Sequence, residues 1–194
     1  MKFHITFGLF LTLLFSSMSY AKEAYVSKYS GEENRDIKSL SSDDIKELTN
    51  GGGWGLAKAA ELNGYPGPVH IFQIEKEINL TQEQKNKVNV LFKQMKKEAI
   101  SLGVQLIKLE KQLNISFQNK TINQNSLENQ IFNIMEVRKK LRLVHLSTHL
   151  ETPKILTKEQ IVLYNKLRGY GMDPCKNVPI GHDKKMWKKH NGCK

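Results

Sequence analysis

A single run of apolar residues constrains the fold of this 194-residue chain more than any other feature. Eight apolar side chains follow one another at steps of three or four: Val88, Leu91, Met95, Ala99, Leu102, Leu106, Leu109 and Leu113. This spacing places them on one side of an α-helix. The sequence therefore predicts one helix from Gln82 to about Phe117, with an apolar side that a large partner must cover.

Two copies of a short motif mark helix starts, one at Leu80-Thr81-Gln82-Glu83-Gln84 and one at Leu156-Thr157-Lys158-Glu159-Gln160. Each Thr is expected to cap its helix by accepting a hydrogen bond from the amide three residues later. Each final Gln, Gln84 or Gln160, is expected to bond back to the amide of the Thr. Leu156 also suits a hydrophobic staple with Ile161. The first copy begins the long helix, and the second begins a final helix that ends at Leu167.

A second long helix is predicted from Ser126, as its N-cap, to about Thr152, and Pro153 marks its end or a kink. Its predicted buried side comprises Leu127, Ile131, Ile134, Leu141 and Val144 or His145. Shorter helices are expected after Ser41, over residues 54–63, and from Pro68 to about Asn79. No alternation typical of strands occurs, so we predict an all-α fold with a long antiparallel hairpin and short flanking helices. Its broad apolar stripes favour a homodimer.

The first 21 residues resemble a secretory signal peptide. Lys2 and His4 precede an apolar stretch, and Ser19-Tyr20-Ala21 supplies small residues for cleavage after Ala21. We therefore expect an exported protein. Residues 22–40 are polar and aperiodic, which predicts an extended or mobile arm. Residues 41–171 then form the helical domain, and residues 172–194 a basic tail that contains Cys and His.

The chain carries 30 Lys and Arg against 19 Asp and Glu. In an exported protein, this excess favours anionic membrane surfaces, acidic polypeptides or unfolded chains as partners. No zinc-finger spacing, aromatic platform or helix-turn-helix pattern indicates nucleic acid as a partner. No serine elbow, phosphate-binding Gly loop or HExxH motif indicates an enzyme. Glu61, Glu75 and Glu77 are interpreted as surface charges or intrahelical partners.

Two sets of residues are candidate ligands for zinc or copper, although nothing in the sequence requires a cofactor. The first is Cys175, His182, His190 and Cys193 in the tail, because thiolate and imidazole suit these metals. The alternative is a disulfide between Cys175 and Cys193, which is the usual fate of an exported pair. His182 and His190 would then remain available. The second set is His145 and His149, whose spacing places both on one helix face. Alternatively, His145 packs against the core and His149 is solvated.

The two LTxxQ boxes resemble those of the Spy/CpxP family of periplasmic proteins. The segment GLAKAAELNGYPGP at residues 55–68 and the segment LRGY at residues 167–170 resemble a subgroup often labelled periplasmic heavy-metal sensor. The similarity covers roughly residues 37–171.

This resemblance implies a periplasmic protein whose curved hairpin dimerises into a cradle. It also implies a role as an ATP-independent chaperone, as a modulator of stress signalling that contacts a membrane-bound sensor, or as a metal-binding protein. A surface rich in Lys and Arg suits an acidic, partly unfolded client. Our candidate client-binding residues are Arg138, Lys139 and Arg142 on the second helix, and Lys93 and Lys97 on the first. We expect polypeptide binding, with metal binding or sensing as the alternative.

Overall fold

The structure is a computed structural model that describes residues 25–193. The predicted signal peptide, residues 1–21, lies outside the described residues. The chain divides into two compact units, residues 1–33 and 34–194. The described part of the first unit consists of turns and the start of a 3-10 turn, Glu32–Asn34.

The second unit is helical. Its α-helices are α1 (Ser42–Thr49), α2 (Lys58–Glu61), α3 (Pro68–Gln73), α4 (Gln82–Gln118), α5 (Gln124–Glu151), α6 (Lys158–Leu167) and α7 (Lys184–His190). A 3-10 turn, Thr152–Ile155, connects α5 to α6. No strand occurs between residues 25 and 193. The all-α prediction is therefore confirmed. None of the helices in this range is both long and apolar enough to cross a bilayer.

Helices α4 and α5 form the predicted antiparallel hairpin. Near the turn, Ser116 Oγ of α4 lies 3.4 Å from Gln130 Oε1 of α5. Farther from the turn, Glu110 Oε1 of α4 lies 3.9 Å from Arg138 Nη1 of α5. The start of α5 differs from the prediction. Asn123 is the N-cap, and Ser126 is the third helical residue, whose hydroxyl accepts the Asn123 amide hydrogen. Asn and Ser both suit a cap, so the sequence did not distinguish them.

The predicted apolar side of α4 is covered by α1 and α5 along its middle and by α3 and α6 near its start. Val88, Ala99 and Leu106 are fully buried, and Met95 nearly so. Gly103 lies where α1 crosses, and a Cβ at this position would come 2.2 Å from the Leu48 carbonyl oxygen. Glycine is unfavourable in the interior of a helix. The close approach of α1 explains it.

Two buried clusters hold the hairpin. One joins α1 to the middle of α4 and α5 and comprises Ile37, Leu40, Leu48, Met95, Ala99, Leu106, Ile134, Val137 and Leu141. The other joins α3, α6 and the two motif leucines at the base, and comprises Ile71, Ile78, Leu80, Val88, Leu156 and Tyr164. The side chain of Leu156 is buried in this base cluster, and the half-buried side chain of Ile161 packs against it.

Four further predictions about local structure are wrong. The helix predicted from Pro68 to about Asn79 ends at Gln73, because Ile74 leaves the helical conformation with a φ angle of −128° and turns follow. Residues 36–40 are not an extended arm, because Ile37 and Leu40 are buried and Ser39 donates a 2.8 Å hydrogen bond to Glu110. The helical domain therefore begins before residue 41. The helix predicted over residues 54–63 is only the short α2, because Trp54 and Gly55 adopt positive φ angles of 44° and 68°. Ile131 is 43% exposed rather than buried.

Candidate functional site

The two LTxxQ boxes, 76 residues apart, meet at the base of the hairpin. Thr81 and Thr157 cap α4 and α6 as predicted, and each makes a reciprocal capping box with its Gln. The two Gln side chains then pair with each other: Gln84 Nε2 lies 2.8 Å from Gln160 Oε1, and Gln160 Nε2 lies 3.0 Å from Gln84 Oε1. The sequence predicted each cap but not this pairing.

The side-chain amide of each Gln also donates a hydrogen bond to a backbone carbonyl. Gln84 Nε2 also donates to the Ile155 carbonyl at 2.9 Å, and Gln160 Nε2 donates to the Ile78 carbonyl at 3.1 Å. Each Gln therefore joins the start of its own helix to the chain that precedes the other. The motif locks the two ends of the hairpin together, so its role here is structural.

The side of α5 that faces away from the core carries a second line of apolar residues. We call it the outer stripe; it consists of Phe132, Met135, Leu143, Leu146 and Leu150. Phe132, Met135, Leu143 and Leu150 are 65%, 55%, 62% and 55% exposed, and Leu146 is half-buried. Their separations of three, four and eight residues place them on one helix face. The sequence analysis assigned α5 a single apolar side and missed this one, although the same periodicity would have revealed it.

The predicted client-binding cations differ in availability. Arg142, Lys93 and Lys97 are exposed and form no ion pair with any residue between 25 and 193. Lys139 pairs with Glu136 at 2.6 Å but remains 63% exposed. The guanidinium carbon of Arg138 lies 4.8 Å from the centre of the Trp54 ring, and its Nη1 lies 3.9 Å from Oε1 of the buried Glu110. The Arg138 side chain therefore makes contacts within the helical domain. Arg142 and Lys139 are the cations beside the outer stripe.

His145 and His149, the predicted helical pair, line one cavity of about 390 Å³ together with Glu47, Glu61 and Met95. Both imidazoles are buried, so the alternative in which His149 is solvated is wrong. The Nε2 atom of His145 has no hydrogen-bond partner among the described residues. Burial, and then the charge of nearby His149, lower the pKa of His145, while Glu47 opposes this shift. The His145 ring is therefore neutral at pH 7.

Backbone contacts fix the orientation of His149. Its Nδ1 lies 2.7 Å from the Tyr65 carbonyl oxygen, which can only accept, so Nδ1 carries the proton. The ring packs on Gly67, where a Cβ would come 2.7 Å from His149 Cε1. In the neutral ring, Nε2 then has a free lone pair. A histidine held in this way by a carbonyl is typical of metal ligands.

Glu61, interpreted from the sequence as a surface charge, is mostly buried beside His149. It accepts hydrogen bonds from Tyr164 and Tyr170 at 2.7 Å and 2.5 Å, and Arg168 Nε lies 3.5 Å away. Burial and this carboxylate raise the pKa of both tyrosines. Residues 55–68 and residues 167–170 therefore meet at Glu61.

In the tail, Cys175 and Cys193 form a disulfide with a Cα–Cα distance of 5.6 Å. The disulfide alternative is therefore the one found, and the bonded sulfurs are not available as thiolate ligands. His182, Trp187 and His190 line one pocket. The centres of the His182 and Trp187 rings are 4.9 Å apart, and His190 Nδ1 lies 3.2 Å from the Met186 carbonyl oxygen. Across residues 25–193, no group of three or more His, Cys, Asp or Glu side chains is arranged to hold a metal ion.

Comparison of the chain with protein-family models, curated proteins and solved structures finds no match.

Proposed function

We propose that this protein is exported to the periplasm and binds partly unfolded polypeptides there without nucleotide, as a chaperone or stress adaptor. The observation that carries the proposal is the outer stripe of α5. Four large apolar side chains on one helix face are more than half exposed. Lys139 lies between Met135 and Leu143 on this face, so the stripe has two apolar groups, one of Phe132 and Met135 and one of Leu143, Leu146 and Leu150. Exposed apolar residues grouped on one face in this way are typical of protein interaction sites, whereas singly scattered ones are not.

The charges around the stripe support a polypeptide client. Arg142 and Lys139 flank the exposed leucines, and the chain as a whole carries a formal charge of +11. Positive charge attracts acidic segments at long range, and apolar contacts hold the client once it arrives. An unfolded chain exposes both kinds of group, whereas a folded one buries most of its apolar side chains.

Aggregation of a chemically denatured acidic protein in the absence of ATP tests this proposal. We expect the wild-type chain to suppress aggregation, and added salt to weaken the suppression because it screens the attraction. The variant Phe132→Gln/Leu143→Gln/Leu150→Gln should bind the client at least about tenfold more weakly, since it loses three apolar contacts.

A matched variant, Leu62→Gln/Val90→Gln/Val162→Gln, removes three residues that are 65%, 66% and 69% exposed but lie elsewhere. It should keep the activity of the wild type. Equal loss of activity in both variants, or suppression by neither the wild type nor the variants, would contradict the proposal.

We also propose that the protein is a homodimer, as the family resemblance implies. The outer stripe is one surface that a second copy would cover. Sedimentation of the wild type and of the stripe variant separates the two uses of this surface. If the variant is a monomer while the wild type is a dimer, the stripe is the dimer interface. If both are dimers, the stripe remains free for a client or for a membrane-bound stress sensor.

The alternative function is binding or sensing of zinc or copper at the cavity between His145 and His149. The observation that favours it is the geometry of the pair. His149 Nε2 has a free lone pair because Nδ1 bonds Tyr65, and His145 Nε2 has no partner in the described part of the chain. The thioether of Met95 lines the same cavity and would suit copper.

Calorimetric titration with zinc and with copper tests this alternative. Binding that is lost in His145→Gln/His149→Gln and kept in His182→Gln/His190→Gln would place a metal in the cavity. The reverse pattern would place it in the tail, and no binding heat with the wild type would exclude the metal function.

A further inference from the structure

The tail carries a concentrated positive surface that the proposed function does not use. Residues 172–193 include five lysines and two aspartates. Four of the lysines, Lys184, Lys185, Lys188 and Lys189, lie in α7. Their spacing of one, three and one residues places them along one side of the helix. All four are exposed and form no ion pair with any residue in 25–193.

The fold of the tail presents these lysines on a defined scaffold. A helix as short as α7 has seven residues and would not form alone in water. Asp183 caps it by accepting the Met186 amide hydrogen at 2.8 Å, and Trp187 Nε1 donates to the Pro174 carbonyl at 2.8 Å. The disulfide between Cys175 and Cys193 closes the loop around the helix. The lysine side chains therefore project from a clasped helix.

The same segment exposes apolar side chains. Ile180, in the loop before α7, is fully exposed. Met186 is 57% exposed but lies on the side of α7 away from Lys184 and Lys188. A surface with several lysines and an exposed aliphatic side chain suits a segment that lies on a lipid bilayer, where the lysines meet phosphate groups and the apolar group enters the interface.

The aromatic residue of the tail argues against nucleic acid as the partner. Proteins that bind single strands stack bases on free aromatic rings. Residues 172–193 contain one Trp, Trp187, and no Phe or Tyr. Its ring packs against His182 at 4.9 Å, and its N–H is used by Pro174. A ring held in this way offers no stacking platform.

We propose that the clasped tail docks on the surface of an anionic phospholipid bilayer through Lys184, Lys185, Lys188 and Lys189, with Ile180 in contact with the interface. Charge complementarity supplies the attraction. Each lysine near an anionic bilayer strengthens binding by about fivefold at moderate salt. The tail would thus hold the helical domain close to a membrane, independently of what the outer stripe of α5 binds.

Sedimentation with lipid vesicles tests the proposal. The chain from residue 22 onward, the form expected after export, is mixed in its oxidised state with vesicles of phosphatidylcholine and phosphatidylglycerol in equal parts, or of phosphatidylcholine alone. We expect binding to the anionic vesicles only, and we expect salt to weaken it. The variant Lys184→Gln/Lys185→Gln/Lys188→Gln/Lys189→Gln should lose at least about a hundredfold in affinity, from the fivefold that each lysine contributes.

The control variant Lys46→Gln/Lys108→Gln/Lys158→Gln/Lys166→Gln removes the same charge from exposed lysines of α1, α4 and α6. It should bind close to the wild-type level. The proposal is overturned if both variants lose affinity equally, because net charge alone would then explain binding. It is also overturned if neutral vesicles bind as well as anionic ones, or if the wild type binds polyglutamate but no vesicles.

Discussion

The two sides of α5 are built from similar residues and have opposite surroundings. On one side, Ile134, Val137 and Leu141 are at most 5% exposed and pack against α4 and α1. On the other, Phe132, Met135 and Leu143 are at least 55% exposed. Burial stabilises the fold only on the first side. The outer stripe contributes little to folding, and it leaves apolar surface available for a partner.

This difference shows why the apolar pattern alone does not define a core. A helix with apolar residues all round is normally buried on all sides. In α5, the described chain covers one side, because α4, α1 and α2 all pack on the side that carries the two histidines. The side that remains is where a function based on apolar contact has to lie.

The largest expected effect comes from truncating one leucine on each side of α5. Leu141→Ala removes a side chain that is 2% exposed and should lower the free energy of unfolding by about 2 to 5 kcal/mol. Leu143→Ala removes one that is 62% exposed and should change it by less than about 0.5 kcal/mol. Urea unfolding of the two variants measures both values. Similar losses in the two would mean that the outer stripe is covered in solution.

The same contrast between covered and uncovered positions applies to glutamines of α4. Gln84→Ala removes one partner of the pair at the hairpin base and should cost about 1 to 3 kcal/mol, because the amide of Gln160 loses its partner. Gln105→Ala, at an exposed position of the same helix, should be close to neutral.

A double-mutant cycle with Gln160→Ala measures the pairing itself. We expect the effects of the two substitutions at the base to be less than additive, since either one breaks the pair. Strict additivity would show that the two capping boxes act separately.

The buried side of α5 carries His145, which should make the stability of the chain depend on pH. The pKa of His145 is lowered in the folded chain, mainly by burial, so the unfolded chain binds this proton more readily. Stability should therefore be full above the unfolded pKa of about 6.5 and should fall as the pH drops through that value.

The variant His145→Leu tests the source of this loss. This substitution replaces the imidazole by an apolar side chain of similar size and removes the titrating group. The unfolding free energy of the variant should therefore depend less on pH below about 6.5. An unchanged slope between wild type and variant, in urea unfolding at neutral and at mildly acidic pH, would assign the loss to other groups.

The parts of the fold that depend on local contacts could be predicted from the sequence. The caps at Thr81 and Thr157 and the bounds of α6 agree with the structure because a capping box needs only four neighbouring residues. The long apolar side of α4 was equally clear, since eight residues repeat its period.

The parts that depend on distant contacts could not be predicted. Ile37 and Leu40 lie in a polar segment without periodicity, and only the hairpin shows that they are buried. Glu61 looks like a surface charge until Tyr164 and Tyr170, more than 100 residues later, supply its hydrogen bonds. Gln84 and Gln160 were identified as caps, but their pairing requires the antiparallel hairpin to bring both helix starts together.

The central claim, that the outer stripe of α5 binds unfolded polypeptide, is tested most directly by site-specific photocrosslinking. A photoreactive phenylalanine analogue is placed at Leu143 in the stripe, and at Val162 of α6, which is 69% exposed, as a control. With a denatured acidic client present, we predict strong crosslinks to the client from position 143 and few from position 162. Crosslinks from position 143 only to a second copy of this chain, or equal crosslinks from both positions, would contradict the claim.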